Sequence, residues 1–158
     1  MPEISGGSMF IPVRVTNPKT GKSADTVFRI DTGSDYTALC MGIASKIDAR
    51  PSDFVMVQGV DRDPVDAPVY KLDLDVQGCP VGKVQVIGLD FSGMDYGGLL
   101  GNDVLDRGLL VRDGEAGRWY FYLPGCYSET STAGQNNVLV AAGAIGIALG
   151  AVYVLNSF

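Results

Sequence analysis

The sequence has no histidine among its 158 residues. That excludes Ser-His-Asp and Cys-His nucleophilic catalysis, and histidine-ligated zinc with them. Positive charge is also sparse: 12 Lys and Arg lie scattered against 18 Asp and Glu, for a net charge of -6. Phosphate binding needs clustered cations, so no nucleic-acid partner is expected. Cysteine occurs three times, as Cys40, Cys79 and Cys126, far apart and without a CxxC pair. The odd count argues against a full disulfide framework and for buried or incidental thiols in a reducing compartment. Neither a metal nor a cofactor is expected. Long stretches of good helix formers are few, while glycines and strand-forming residues are plentiful, which points to a mainly β domain with one or two helices.

Hydrophobic residues make up 46% of the chain, enough for a core. Residues 1–8 read as a tail with neither the basic n-region nor the apolar h-region of a secretory signal. Residues 9–15 begin a strand, Asn17-Pro18-Lys19-Thr20-Gly21 is turn chemistry, and residues 27–30 form a second strand that runs into Asp31. Residues 40–47 suit one or two helical turns, stopped by Pro51. Residues 54–60 and the alternating residues 69–76 make a long hairpin with a polar turn at 61–66. Residues 81–89 and 97–101 are further strands. Residues 103–109 form a short helix with Asn102 as its N-cap, and residues 109–112 and 118–123 form a closing hairpin turned at 113–117.

Composition changes after Pro124-Gly125. Residues 126–137 are small and polar, as in a linker. Residues 138–155 then run without one charged residue, about 27 Å as a helix at 1.5 Å per residue, near the thickness of a bilayer core. They read as a single-pass transmembrane helix at the C-terminus. Gly146 and Gly150 form a GxxxG face suited to pairing two such helices. A buried or self-associating soluble helix is the alternative. The missing leader and the odd cysteine count lead to the expectation of a cytoplasmic domain held at a membrane.

The chemistry-bearing motif is Asp31-Thr32-Gly33-Ser34 at the end of the apolar strand that holds Phe28 and Ile30. Two carboxylates about 3 Å apart cannot both ionise, so such a pair shares one proton, with one member acting as base on a water and the other polarising a carbonyl. A chain with one suitable Asp supplies a pair through a two-fold axis. Gly33 allows a tight turn with its N–H aimed at the carboxylate. The Ser34 hydroxyl is placed to bond the outer carboxylate oxygen, which predicts an acidic pH optimum that Ser34→Ala would raise.

The stretch Phe28-Arg29-Ile30-Asp31-Thr32-Gly33-Ser34-Asp35-Tyr36-Thr37-Ala38-Leu39 resembles the active-site loop of the retropepsin-like aspartic proteases, the single-lobe branch. Gly98-Leu99-Leu100-Gly101-Asn102-Asp103-Val104-Leu105 is similar to that family's apolar-apolar-Gly element before the C-terminal helix, about seventy residues after the catalytic Asp. Between them, Met56-Val57-Gln58-Gly59-Val60 with residues 69–76 looks like the flap hairpin. The resemblance spans residues 9–123, within a domain placed at 9–125. It implies a closed, barrel-like single lobe acting as an aspartic endopeptidase in a homodimer on a peptide or protein substrate. Asp31 would be catalytic, with Thr32 locking against its twin and Gly33 and Ser34 supporting the loop. Gly33, Asp35, Gly59 and Val60 would bind substrate. The chain departs from the viral pattern at Asn102, where those relatives often carry an Arg that pairs with the acid after the loop. The flap tip (Asp61, Arg62, Asp63) is charged where theirs is glycine-rich. A catalytically silent module of the same fold, tethered to a membrane, is the alternative function.

Overall fold

Alternation of apolar and polar side chains builds the first hairpin. The computed structural model of the chain describes residues 9–59, 63–115, 117–126 and 151–156. Strand β1 (Met9–Thr16) buries Met9, Ile11, Val13 and Val15 while Pro12 and Arg14 face solvent, the period-two pattern of a strand with one covered face. The chain returns antiparallel as β2 (Ser23–Ile30), with Met9 opposite Ile30 and Thr16 opposite Ser23. Asn17 holds the turn. Its Nδ2 donates to the Ile47 and Asp48 carbonyls, each at 3.0 Å, and its Oδ1 accepts the Lys19 N–H, so this buried amide keeps its polar groups satisfied.

The remaining elements are β3 (Ala38–Cys40), α1 (Met41–Lys46), β4 (Asp53–Val57), β5 (Val65–Val76), β6 (Cys79–Leu89), β7 (Gly98–Leu100), α2 (Asn102–Leu105), β8 (Leu109–Asp113), β9 (Arg118–Leu123) and β10 (Ala151–Asn156). The first seven strands form one sheet in the order β1-β2-β7-β3-β6-β5-β4, and β1 also pairs with β5. Six strands therefore close into a barrel, with β4 attached outside it. The 12-residue β5 makes this possible by dividing one edge. Residues 65–69 pair with β4 and residues 73–76 with β1, while the other edge follows β6. A register shift between Leu74 and Asp75 supplies the bend that such a division needs. Among the described residues, this mainly β, closed architecture with two short helices matches the expected fold class.

Phe28, Phe121, Ile11, Leu39, Ile47, Leu72, Leu74 and Leu100 are the largest fully buried side chains among the described residues. Phe121 and Leu123 come from β9. The second sheet, in the order β10-β9-β8, thus seals the same core that the barrel encloses.

Three expectations are corrected here. Cys79 and Cys126 are joined in a disulfide, their Cα atoms 5.6 Å apart, and Cys40 alone is free. The bridge forms because the tight β5–β6 turn at Gln77-Gly78 and the end of β9 lie side by side, within normal disulfide span. Disulfides persist in oxidising surroundings, so the thiols no longer argue for a reducing compartment. Second, Ala151–Asn156 is a strand antiparallel to β9, with Ala151 opposite Leu123 and Asn156 opposite Arg118. It is not the last part of a membrane helix; Val, Tyr, Val and Leu in succession favour a paired strand. Residues 138–150, with the GxxxG pair, and most of the linker at 126–137 lie outside the described residues. Among the described residues, no helix is long and apolar enough to cross a membrane. Third, α2 begins at Asn102 and its N-cap is Gly101. Asn102 has another role, described below.

Candidate active site

Asp31 sits where β2 leaves the barrel. Its N–H donates to the Leu100 carbonyl at 3.0 Å, which carries the parallel β2–β7 ladder one residue past Ile30. The side chain is half-buried. Behind it, Phe28, Ile30 and Leu100 are buried and fix the strand from below. The loop then turns sharply: the Ser34 N–H reaches the Asp31 carbonyl at 3.2 Å, and the Gly33 N–H donates to Asp31 Oδ1 at 3.0 Å. A side chain on Gly33 would begin 3.2 Å from that same oxygen, a tight approach that crowds the carboxylate. Thr32 and Gly33 are exposed. The Thr32 hydroxyl has no hydrogen-bond partner among the described residues of its own chain.

Ser34 does not serve the carboxylate. Its hydroxyl donates to the Tyr36 carbonyl at 2.8 Å, the local side-chain-to-backbone bond that serines in turns favour. An acidic pH optimum therefore has no basis in this hydroxyl.

The start of α2 clasps the loop from the other side. Asn102 Nδ2 donates to the Thr32 carbonyl at 3.0 Å, the Asn102 N–H to the Ser34 carbonyl at 2.9 Å, and the Asp103 N–H to the Asp35 carbonyl at 3.1 Å. The two backbone groups are N–H donors that the first turn of a helix leaves without partners, and here the loop uses them. Two residues beyond Asp35, Thr37 is fully buried. Its Oγ1 accepts the Gly101 N–H at 3.1 Å and donates to Asp103 Oδ1 at 2.7 Å. Gly101 itself lies against the loop so closely that a Cβ there would stand 2.4 Å from the Tyr36 carbonyl carbon. The two sequence motifs are thus one object, the loop at 31–37 being tied to residues 100–103 by six hydrogen bonds. Asn102, the departure from the viral pattern, thus holds backbone of the loop. The Asp35 carboxylate is exposed and makes no ion pair among the described residues.

The hairpin of β4 and β5 pairs Asp53 with Val69 through to Val57 with Val65. It begins its return at Val65, earlier than the alternation at 69–76 implies. Its strand β4 is exposed nearly throughout, with Phe54 at 63% and Met56 at 67%, as befits an arm standing off the barrel. Gly59 is exposed near its tip. Val60, Asp61 and Arg62 lie outside the described residues. Thr37, Asp103 and Leu100 support the loop; their signals in the sequence were the Thr six residues after Asp31 and the apolar-apolar-Gly element that ends at Gly101.

No protein-family model matches the sequence, and no curated protein matches it. Among solved structures, the chain is similar to a retropepsin-like aspartic protease from Rickettsia conorii at 19% identity, covering 67% of this chain and 76% of that one with a TM-score of 0.48. It is also similar to the EIAV protease in complex with an inhibitor, at 14% identity over 63% of this chain and 86% of that one, TM-score 0.40.

Proposed function

We propose that this chain is an aspartic endopeptidase in which two copies each contribute Asp31. The observation that carries the reading is the loop itself. A half-buried carboxylate accepts the Gly33 N–H two residues on, at the end of a strand locked to the Leu100 carbonyl. The sequence offers no second Asp-Thr/Ser-Gly, so a single chain lacks the second carboxylate. The exposed Thr32, with no in-chain partner for its hydroxyl, and Tyr36, 60% exposed beside it, leave the face around Asp31 open to a twin.

In the pair, one carboxylate takes a proton from a water as that water attacks the scissile carbonyl carbon. The other, protonated, donates to the carbonyl oxygen. Collapse of the tetrahedral intermediate returns a proton to the leaving amine. The Gly33 N–H and the α2 clasp hold each carboxylate in place through this cycle, so no rearrangement accompanies the charge movement. The β4–β5 arm, with its exposed Phe54 and Met56, would cover the substrate. Full-length chain incubated with a diverse peptide library, beside Asp31→Asn, tests the proposal: cleavage by the first and none by the second supports it.

A further inference from the structure

We infer that Arg29 makes this cleft select an acidic side chain next to the scissile bond, an inference that rests on the protease reading. Side chains alternate along β2. Phe28 and Ile30 point into the core, and Arg29 is exposed on the opposite face. The ladder continues through the Asp31 N–H to Leu100, so Arg29 and Asp31 lie on the same face, about 7 Å apart along the strand. The guanidinium has no hydrogen bond or ion pair among the described residues. Apart from Asp31, the nearest acid on this face of the strand is Asp25, and it is committed to Arg14 through two bonds of 2.7 and 3.0 Å. Asp90, on the loop that follows β6, is engaged by the Ser92 N–H and hydroxyl.

The surroundings sharpen the chemistry. Directly paired residues share a face, and those beside Arg29 are Phe10 on β1 and Leu99 on β7, both half-buried. Tyr96 packs on Phe10 with ring centroids 6.1 Å apart, and Phe91 on Tyr96 at 5.5 Å. One cation thus stands on an apolar and aromatic floor, two strand positions from the carboxylate. An extended peptide advances about 3.4 Å per residue, so a side chain within two residues of the bond meets Arg29. A carboxylate there would sit near the catalytic carboxylates and be repelled; the free guanidinium offsets that repulsion and offers a two-pronged partner.

The experiment uses a library of peptide pairs identical but for Glu or Gln at one position, incubated with the full-length chain to locate the bonds it cuts. A charge-assisted hydrogen bond predicts about tenfold higher kcat/KM for Glu at the selected position. Arg29→Gln brings that ratio to about one, and Arg29→Glu turns it towards Lys at the same position. An unchanged Glu-to-Gln ratio in Arg29→Gln overturns the inference. Binding of the same pairs to Asp31→Asn, read by fluorescence anisotropy, separates this inference from the protease reading. If nothing is cut, the protease reading falls. A Glu preference in binding that is lost in the double substitution with Arg29→Gln still supports the role of Arg29, and equal binding of Glu and Gln peptides refutes it.

Discussion

Replacing Thr37 with Val tests how the Asp31 loop is held. The two side chains have nearly the same shape, so no cavity forms; what changes is one oxygen. Thr37 Oγ1 is the acceptor for the Gly101 N–H at 3.1 Å and the donor to Asp103 Oδ1 at 2.7 Å, in a residue with 0% exposure. Losing the acceptor strands a buried N–H, at a cost of about 1–3 kcal/mol. Losing the donor removes a bond to a carboxylate, but Asp103 is only half-buried, so water replaces part of it and about 1 kcal/mol is the fitting figure. The sum is about 2–4 kcal/mol, or a fall in Tm on the order of 10 °C for a domain of this size. Thr37→Ser keeps the oxygen and should recover most of the loss. Thermal and urea unfolding at matched chain concentration would measure both, since a dimer's apparent stability depends on concentration. Thr37→Val within about 0.5 kcal/mol of the parent, inside the ordinary scatter of neutral changes, would refute the view that this hydroxyl joins the two motifs.

Other substitutions probe different parts of the same arrangement. Gly101→Ala places a methyl 2.4 Å from the Tyr36 carbonyl carbon and 2.9 Å from the Thr37 nitrogen; backbone must move, so it should cost about 1–3 kcal/mol or more and abolish cleavage. Gly33→Ala meets only Asp31 Oδ1, at 3.2 Å, and should reduce cleavage while leaving the melting curve nearly unchanged, as circular dichroism would report. Cys79→Ser opens a crosslink spanning 47 residues, which the chain-entropy account values at about 4 kcal/mol; chemical denaturation with and without reductant should give matching losses in the parent and none in the variant. Ser34→Ala removes a bond to the Tyr36 carbonyl and not to the Asp31 carboxylate, so the pH–rate profile should keep its optimum while the loop loses a little stability.

Local features were legible in the sequence, and distant ones were not. The β1–β2 hairpin that delivers Asp31 follows from alternation at Ile11, Val13, Val15, Phe28 and Ile30 around a turn rich in Asn, Pro and Gly. Each of those signals acts within a few residues, where periodicity decides the structure. The parallel pairs β2–β7 and β3–β6 join residues some fifty to seventy positions apart. No turn specifies them, and they come from closing the barrel around its core. The Cys79–Cys126 bridge belongs to the same class: spacing does not reveal that a hairpin turn and a strand end will meet. Ser34 was misjudged for the opposite reason, because a nearer acceptor, the Tyr36 carbonyl, outcompeted the carboxylate. Asn102 looked like a helix cap, as Asn before an apolar run usually does, yet its amide reaches across to the Thr32 carbonyl. Residues 151–156 carried an apolar composition that fits a helix in lipid or a strand in a sheet, and composition alone does not separate the two.

The central claim is that Asp31 from each of two chains performs peptide hydrolysis. Its most direct test is cleavage of a peptide library by the full-length chain and by Asp31→Asn, from acid to neutral pH, across a dilution series. The account predicts cleavage that disappears in Asp31→Asn and, in the parent at low concentration, rises with the square of chain concentration. Cleavage that persists in Asp31→Asn, or a folded parent chain that cuts nothing at any pH or concentration, would contradict it.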